Sequence, residues 1–285
     1  MVISGKTIVC GVIGDPIEHS LSPVMHNAAF EALMLDFAYL AFKVTPAELG
    51  KAIAGVRALG LHGLNVTMPH KNTVIKYLDE IEETARFLNA VNTIYCKNGK
   101  LFGYNTDGVG ALKALRNNGA DPKDKNVLLL GAGGAASSIA YALAQEADKL
   151  TILNRTNKPA IELADTLTKS LGKKIVAGLM SADIIRESLD HANILVNATS
   201  VGMKPADNQT PVPKELLKDS LTVMDIIYNP VETKLAKDAK AAGARVVSGV
   251  EMLVYQGAES FGIWTGRKAP IEVMRKAALN QLLKV

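Results

Sequence analysis

Residues 127–136 read Val-Leu-Leu-Leu-Gly-Ala-Gly-Gly-Ala-Ala, an apolar run that ends in glycines and passes into an alanine-rich stretch. This pattern predicts a buried strand, a tight loop and a helix, and so commits the middle of the chain to a βαβ unit. Gly131, Gly133 and Ala136 occupy the three key positions of G-x-G-x-x-G/A, with Ala132, Gly134 and Ala135 between them. Gly131 permits the sharp turn out of the strand. Gly133 removes the side chain that would block backbone approach to a pyrophosphate, and Ala136 lets helix and strand pack closely. The helix start offers free N–H groups and a positive dipole end to phosphates. An ordinary tight βα turn is the competing reading; the strand–loop–helix context favours a dinucleotide site.

The second strand of the unit, residues 149–153, ends in Asn154-Arg155-Thr156. An acidic residue there would accept hydrogen bonds from the ribose 2′-hydroxyl of NAD, whereas an arginine meets a 2′-phosphate. No Asp or Glu lies in residues 151–158, so the expected cofactor is NADP.

At 285 residues the chain accommodates two domains, and 48% hydrophobic with 5% aromatic residues points to an aliphatic α/β core. The net charge of +4 is spread without blocks, which argues against nucleic-acid and membrane partners and is compatible with a small anionic ligand. Cys10 and Cys96 lack metal-ligand spacing and lie in apolar runs, so both are expected to be buried reduced thiols. No metal-ligand cluster is evident, and no apolar run approaches the ~18 residues that span a bilayer. The expected location is the reducing cytoplasm. A homodimer is compatible with the sequence and not specified by it.

Before the glycine loop, strands are expected at residues 7–13, 37–42 and 61–66, with helices at 24–33 and 46–59 between them. Such alternation predicts a mainly parallel sheet. Ser22 precedes Pro23, which suits a helix N-cap; Ser20 and Ser22 can alternatively donate to a ligand carboxylate. Asn65, Thr67 and Lys71 follow the third strand, where open α/β sheets bind ligands. Lys71 reads as a first-turn helix residue, at the unfavourable dipole end for a cation. A helix with capping acids is expected at 79–88. Asn98-Gly99 predicts a tight hairpin between strands at 90–95 and 100–104. Asp107 reads as a cap for a helix at 109–117. Beyond the glycine loop come helices at 135–147, 159–171, 184–189 and 234–242. Strands are expected at 174–177, 192–198, 221–227 and 245–248, and two final helices at 250–265 and 272–283. Thr199 and Tyr228 then fall on the same sheet rim as the glycine loop. Gln256 is either buried or ligand-facing.

Taken together, His19-Ser20-Leu21-Ser22-Pro23, Asn65-Val66-Thr67-Met68-Pro69-His70-Lys71, Ala90-Val91-Asn92-Thr93, Gly103-Tyr104-Asn105-Thr106-Asp107-Gly108, the Gly131 loop, Asn154-Arg155-Thr156, Asn197-Ala198-Thr199 and Tyr255-Gln256-Gly257-Ala258 resemble the shikimate dehydrogenase family across essentially the whole chain. The resemblance implies two α/β domains with an active-site cleft between them. Residues 1–108 with 250–285 would form a substrate-binding and catalytic domain, and residues 109–249 a Rossmann-like NADP domain, with the C-terminal helices returning to the first. It implies reversible NADP-dependent oxidation of shikimate to 3-dehydroshikimate, in aromatic amino-acid biosynthesis. Ser20 and Ser22 would hold the carboxylate, and Asn65, Thr67, Asn92 and Gln256 the ring hydroxyls. Lys71 and Asp107 would flank the reacting oxygen, with Lys71 as proton acceptor. Asp107 would hold the lysine by a charge-assisted hydrogen bond. The cofactor would meet residues 131–135, Asn154, Arg155, Thr156, Thr199, Ile226, Tyr228, Gly249 and Met252.

Two rival readings stand beside this one. A quinate/shikimate dehydrogenase would use NAD as well and accept one more hydroxyl. A non-catalytic NADP-binding regulatory module would keep Gly131, Gly133 and Arg155 but need none of Lys71, Asp107 or the serines.

Overall fold

The computed structural model describes residues 3–284. The chain forms two compact units, Met1–Thr106 with Gln256–Val285, and Asp107–Tyr255.

In the first unit β1 (Ile8–Gly14), α1 (Ser22–Ala32), β2 (Phe37–Lys43), α2 (Leu49–Ala58) and β3 (Gly63–Val66) alternate, followed by β4 (Glu80–Ile81), α3 (Glu83–Phe87), β5 (Thr93–Lys97) and β6 (Lys100–Tyr104). The sheet order is β2-β1-β3-β5-β6-β4. β1 pairs parallel with β2 and β3, and β4 parallel with β6, while β3–β5 and β5–β6 are antiparallel. Connections leave β1 toward β2 on one side and return past it to β3, so a topological switch point lies between β1 and β3. The antiparallel β5 then enters from the carboxyl end of β3. Its hairpin to β6 turns at Asn98 and Gly99, both with positive φ (53° and 76°), as a two-residue type I′ loop requires. Beneath the sheet Ile13, Leu49, Ile53, Leu64, Ile94 and Leu101 are buried in one cluster.

The second unit contains α4 (Asp107–Asn117), β7 (Asn126–Leu130), α5 (Gly134–Glu146), β8 (Lys149–Asn154), α6 (Asn157–Leu171), β9 (Val176–Leu179), α7 (Ala182–His191), β10 (Ile194–Asn197), β11 (Thr222–Asp225), α8 (Lys234–Ala241) and β12 (Arg245–Val247). Its sheet runs β12-β11-β10-β7-β8-β9 with every pairing parallel. This is the doubly wound order with the switch between β7 and β10. Val127 to Leu130 are at most 2% exposed, as a central parallel strand covered on both faces demands. α9 (Gly249–Thr265) runs through the division between units, and α10 (Ile271–Leu282) packs on α1.

Several local expectations are corrected. Ser22 is not an N-cap: it is the first residue of α1, the cap position is Leu21, and no side chain caps the helix. The Ser22 N–H donates to Ser20 Oγ at 3.3 Å. Lys71 is not in a helical first turn but in a turn ahead of a short 3-10 helix, Thr73–Tyr77. The macrodipole objection to a lysine there therefore falls away. The helix expected at 79–88 is split into β4 and α3, because the Asp79 carboxylate accepts from Arg57 and from the Leu101 N–H rather than capping. Glu82 takes the cap, accepting from the Ala85 N–H at 3.1 Å. The segment at 46–59 opens as a 3-10 turn, Pro46–Glu48, before α2. Asp107 lies inside the first turn of α4 rather than ahead of it. Cys10 is buried but Cys96 is only half-buried; both are free thiols.

Candidate active site

In the first unit the two loops leaving the switch-point strands are tied together. Thr67 N–H donates to Ile13 O at 3.0 Å, and Asp15 N–H to Met68 O at 3.0 Å. A side chain on Gly14 would meet Thr67 Cγ2 at 2.5 Å, so the close approach depends on glycine. This brings the serine loop beside the Thr67–Lys71 loop. Lys71 is half-buried, and its carbonyl is anchored by the Val91 N–H at 2.8 Å.

Asn65 is the centre of a buried polar cluster. Its Nδ2 lies within 3.1 Å of Asn92 O, Thr93 Oγ1 and Ser260 Oγ, and its Oδ1 accepts from the Tyr39 hydroxyl at 2.6 Å. Asn92 Oδ1 accepts from Thr106 N–H at 2.9 Å and from the Thr93 hydroxyl at 2.9 Å. Its Nδ2 donates to Thr106 Oγ1 at 2.9 Å and reaches Gln256 Oε1 at 3.4 Å. Register explains the assembly: antiparallel pairing sets Asn65 opposite Thr93, and Thr93 opposite Tyr104. Asn92 and Thr106 flank those pairs. Gln256 and Ser260 are four residues apart on α9 and present one helical face. Asp107 follows Thr106 directly in the chain and is buried. Of the predicted substrate residues, the structure thus joins Asn65, Asn92 and Gln256 in one network, while Ser22 is linked to Ser20. Ser20 and Thr67 stand on the adjoining loops.

In the second unit Gly131 has φ of +111°, and a Cβ there would lie 2.8 Å from Ala198 O. The loop after β7 therefore rests directly on the strand end that carries Thr199. Gly133 is the cap residue of α5 with no side-chain cap, and Cβ atoms on Gly133 and Gly134 would meet nothing within 4 Å. This leaves an open cradle of backbone N–H groups, while Ala136 is fully buried against the strand. The cradle fits a pyrophosphate in shape and in charge. Asn154 Nδ2 donates to Thr156 O at 3.0 Å and reaches Thr156 Oγ1 at 3.2 Å, bracing the turn that displays exposed Arg155. Thr199 donates from its N–H (3.1 Å) and hydroxyl (2.7 Å) to Asn197 Oδ1. A Cβ on Gly249 would sit 2.4–2.5 Å from the carbonyls of Ile226 and Ile227, so Gly249 is required by packing alone. Tyr228 is half-exposed as a residue, yet its phenol is raised by burial. Met252 is buried.

Beneath this rim lies a carboxylate absent from the sequence expectations. Asp225 Oδ1 accepts from Asn197 Nδ2 (3.0 Å) and Ile227 N–H (3.2 Å), and Oδ2 accepts from the Thr233 hydroxyl (2.6 Å). Burial raises its pKa, and the three hydrogen bonds oppose the rise only in part. Its signal in the sequence was an acid closing an apolar strand. Ser260 was signalled by its four-residue spacing from Gln256. Tyr39, beside Phe37 in an apolar run, had no signal that separated it from a core aromatic.

Three family models match the chain. One for the shikimate dehydrogenase substrate binding domain matches residues 12–94, one for shikimate / quinate 5-dehydrogenase matches 113–227, and one for the shikimate 5′-dehydrogenase C-terminal domain matches 249–279. Shikimate dehydrogenase (NADP(+)) of Pyrococcus abyssi is 51% identical over 276 residues, covering 97% of this chain and 99% of the relative. The chain belongs to the shikimate dehydrogenase family. Among solved structures, a shikimate dehydrogenase in complex with NADP+ is similar at a TM-score of 0.94 and 45% identity, covering 99% of this chain and 98% of that one. Shikimate 5-dehydrogenase from Listeria monocytogenes, in complex with shikimate and NAD, gives a TM-score of 0.92 and 37% identity, covering 97% and 98%. Within this shikimate dehydrogenase family member, the substrate-binding model falls on the unit that carries Ser20, Asn65, Lys71 and Asn92. Among the described residues no group of His, Cys, Asp and Glu could hold a metal ion, and no helix is long and apolar enough to cross a membrane.

Proposed function

We propose that this chain is an NADP-dependent shikimate dehydrogenase that interconverts shikimate and 3-dehydroshikimate. The observation that carries the reading is the pairing, in one chain, of two different switch-point sites. The Gly131–Gly134 cradle followed by Arg155 suits NADP, and the Ser20–Ser22 and Asn65–Lys71 loops suit a small polyhydroxy acid.

The first unit binds the substrate. Ser20 and Ser22 donate to its carboxylate. Asn65, Thr67, Asn92 and Gln256 take the ring hydroxyls, and their mutual hydrogen bonds fix them before substrate arrives. When bound, NADP supplies the hydride acceptor, held by the loop N–H groups, with Arg155 on the 2′-phosphate. Thr199, Ile226, Tyr228, Gly249 and Met252 line the remainder of that site. Oxidation of an alcohol also requires a proton acceptor, and Lys71 Nζ takes the hydroxyl proton; in reverse its ammonium returns it. Asp107 completes the catalytic pair by favouring the charged lysine. The two free cysteines support a reducing cytoplasm as the place of action.

Initial rates with shikimate or quinate, each with NADP or NAD, test the reading through the reduced nicotinamide absorbance. The expected result is one dominant pair, shikimate with NADP. A quinate/NAD rate equal to it overturns the specificity, and no rate with any pair overturns the enzyme itself.

A further inference from the structure

We propose that Tyr39, a fully buried tyrosine outside the sequence-predicted site, is a positioning residue that holds the Asn65 amide oxygen in place for the substrate. The proposal rests on the reading of Asn65 as a substrate ligand.

Tyr39 lies on β2, the edge strand of its sheet, where a side chain would ordinarily be loosely held. Here it is not. Asn27 on α1 pairs with the Tyr39 backbone as a second strand would: Asn27 Oδ1 accepts the Tyr39 N–H at 2.8 Å and Nδ2 donates to the Tyr39 carbonyl at 2.9 Å. The residue before Asn27, His26, stacks flat on the phenol ring, 4.4 Å between centroids and 8° apart. Trp264 of α9 closes in at 5.9 Å. Among the described residues neither nitrogen of His26 has a hydrogen-bond partner, so burial holds the imidazole neutral and it serves as an aromatic plate. Asn27 thus fixes the backbone of Tyr39, and His26 and Trp264 flank its ring.

The hydroxyl at its end has a definite task. The phenol proton goes to Asn65 Oδ1, at 2.6 Å. An amide whose oxygen is held this way must direct its NH₂ elsewhere. Asn65 Nδ2 has two protons and three acceptors within 3.1 Å, namely Asn92 O, Thr93 Oγ1 and Ser260 Oγ. The donor capacity of Asn65 is therefore consumed inside the protein. What remains for a ligand is the second lone pair of Oδ1. Asn65 accordingly recognises a substrate hydroxyl as an acceptor: the Asn92 carbonyl, which can only accept, fixes the sense of the amide, and the Tyr39 hydroxyl holds its oxygen in place. Without the phenol proton the amide keeps its sense, but its oxygen is no longer held at the position from which it meets the substrate.

The test is a cycle of Tyr39→Phe, Asn65→Ala and the double variant, with KM for shikimate, KM for NADP, kcat and thermal midpoint measured on each. Tyr39→Phe is expected to raise the shikimate KM about tenfold, since a lost or misdirected hydrogen bond of ordinary strength is worth about that factor. The NADP KM is expected to stay within about twofold. In the Asn65→Ala background Tyr39→Phe should add no further rise, because its target is gone. A purely structural role would lower the active fraction, and so kcat, without moving the shikimate KM. An unchanged shikimate KM in Tyr39→Phe while Asn65→Ala raises it, or additive effects in the double variant, overturns the proposal. An unchanged shikimate KM in Asn65→Ala overturns the underlying assignment of Asn65, and the proposal with it. Should Tyr39→Phe fail to fold, Asn27→Ala carries the test: it leaves the phenol and Asn65 in place and releases only the clamp on the strand. A rise in shikimate KM with NADP KM unmoved supports the proposal, and no change in either overturns it.

Discussion

At the switch point between β7 and β10 the material proposed to face the ligand is backbone: Gly131 turning at φ +111°, Gly133 and Gly134 opening onto empty space, and the first N–H groups of α5. At the switch point between β1 and β3 it is side chains, among them Asn65, Asn92 and Gln256, held in a network drawn from distant parts of the first unit. The two sheets share a topological device and differ in what they place there. A pyrophosphate is large, doubly charged and symmetrical, so a row of N–H groups and a dipole suffices. A ring with several hydroxyls demands donors and acceptors in a fixed order, and only a cross-linked set of side chains supplies that. The backbone site should tolerate any change that leaves its surface free. The side-chain site should respond to changes far down its network.

The largest effect is expected at Lys71, which neither network supplies with a substitute. Lys71→Ala is expected to lower kcat by ~10²-fold or more while substrate binding stays measurable, as removal of a proton-transfer group does. Single-turnover rates check this, and near wild-type turnover removes Lys71 from the mechanism.

Next come the glycines, which can separate folding from binding. Gly133→Ala places a Cβ in open space, so the thermal midpoint should hold while the NADP KM rises about tenfold or more from encroachment on the phosphates. Gly131→Ala drives a Cβ to 2.8 Å from a carbonyl at a left-handed φ, so it should lose stability by about 1–3 kcal/mol as well. If the two variants lose stability equally, the cradle is a packing feature and not a ligand surface. A smaller effect is expected from Arg155→Ala. The kcat/KM ratio of NADP to NAD should fall by about tenfold, as expected for one exposed charge-assisted contact. An unchanged ratio would move the 2′-phosphate contact to another residue.

The same contrast explains what could be read from the chain in advance. The backbone site was legible because a conformation leaves a compositional mark: only glycine serves at Gly131, and the strand that precedes it must be apolar on both faces. The doubly wound order of the second sheet followed from that unit. In the first unit the switch-point residues Asn65, Thr67 and Lys71 were placed by strand-end logic, but the roles of Ser22, Asn92 and Gln256 came through family resemblance. Their meaning depends on antiparallel register, Asn65 against Thr93 and Thr93 against Tyr104, which links positions far apart in sequence. Ser22 shows the cost of local reasoning. Serine before proline is a good cap, yet the helix starts on the serine itself and the cap position falls on Leu21.

Asp225 sharpens the comparison at its weakest point, since it is a side-chain network inside the backbone-dominated unit. Its carboxyl accepts from Asn197, Thr233 and the Ile227 N–H, and its pKa is nevertheless raised above the ordinary 3.8 because burial outweighs them. The folded chain therefore keeps this proton to a higher pH than the unfolded chain does. The group adds stability below 3.8 that is lost as pH climbs through the raised folded value. Asp225→Asn deletes that titration while keeping an acceptor oxygen for Asn197 and Ile227. Urea unfolding of both proteins from acid to neutral pH should show the variant gaining on the wild type as pH rises above 3.8, with little change in turnover at neutral pH. Other carboxylates of the chain, such as Asp79 beside Arg57, are shifted downward and slope the opposite way, but they are common to both proteins and cancel in the difference. A difference that stays flat with pH would mean that the hydrogen bonds from Asn197, Thr233 and Ile227 offset burial in full, and that Asp225 adds structure to the second unit without adding pH dependence.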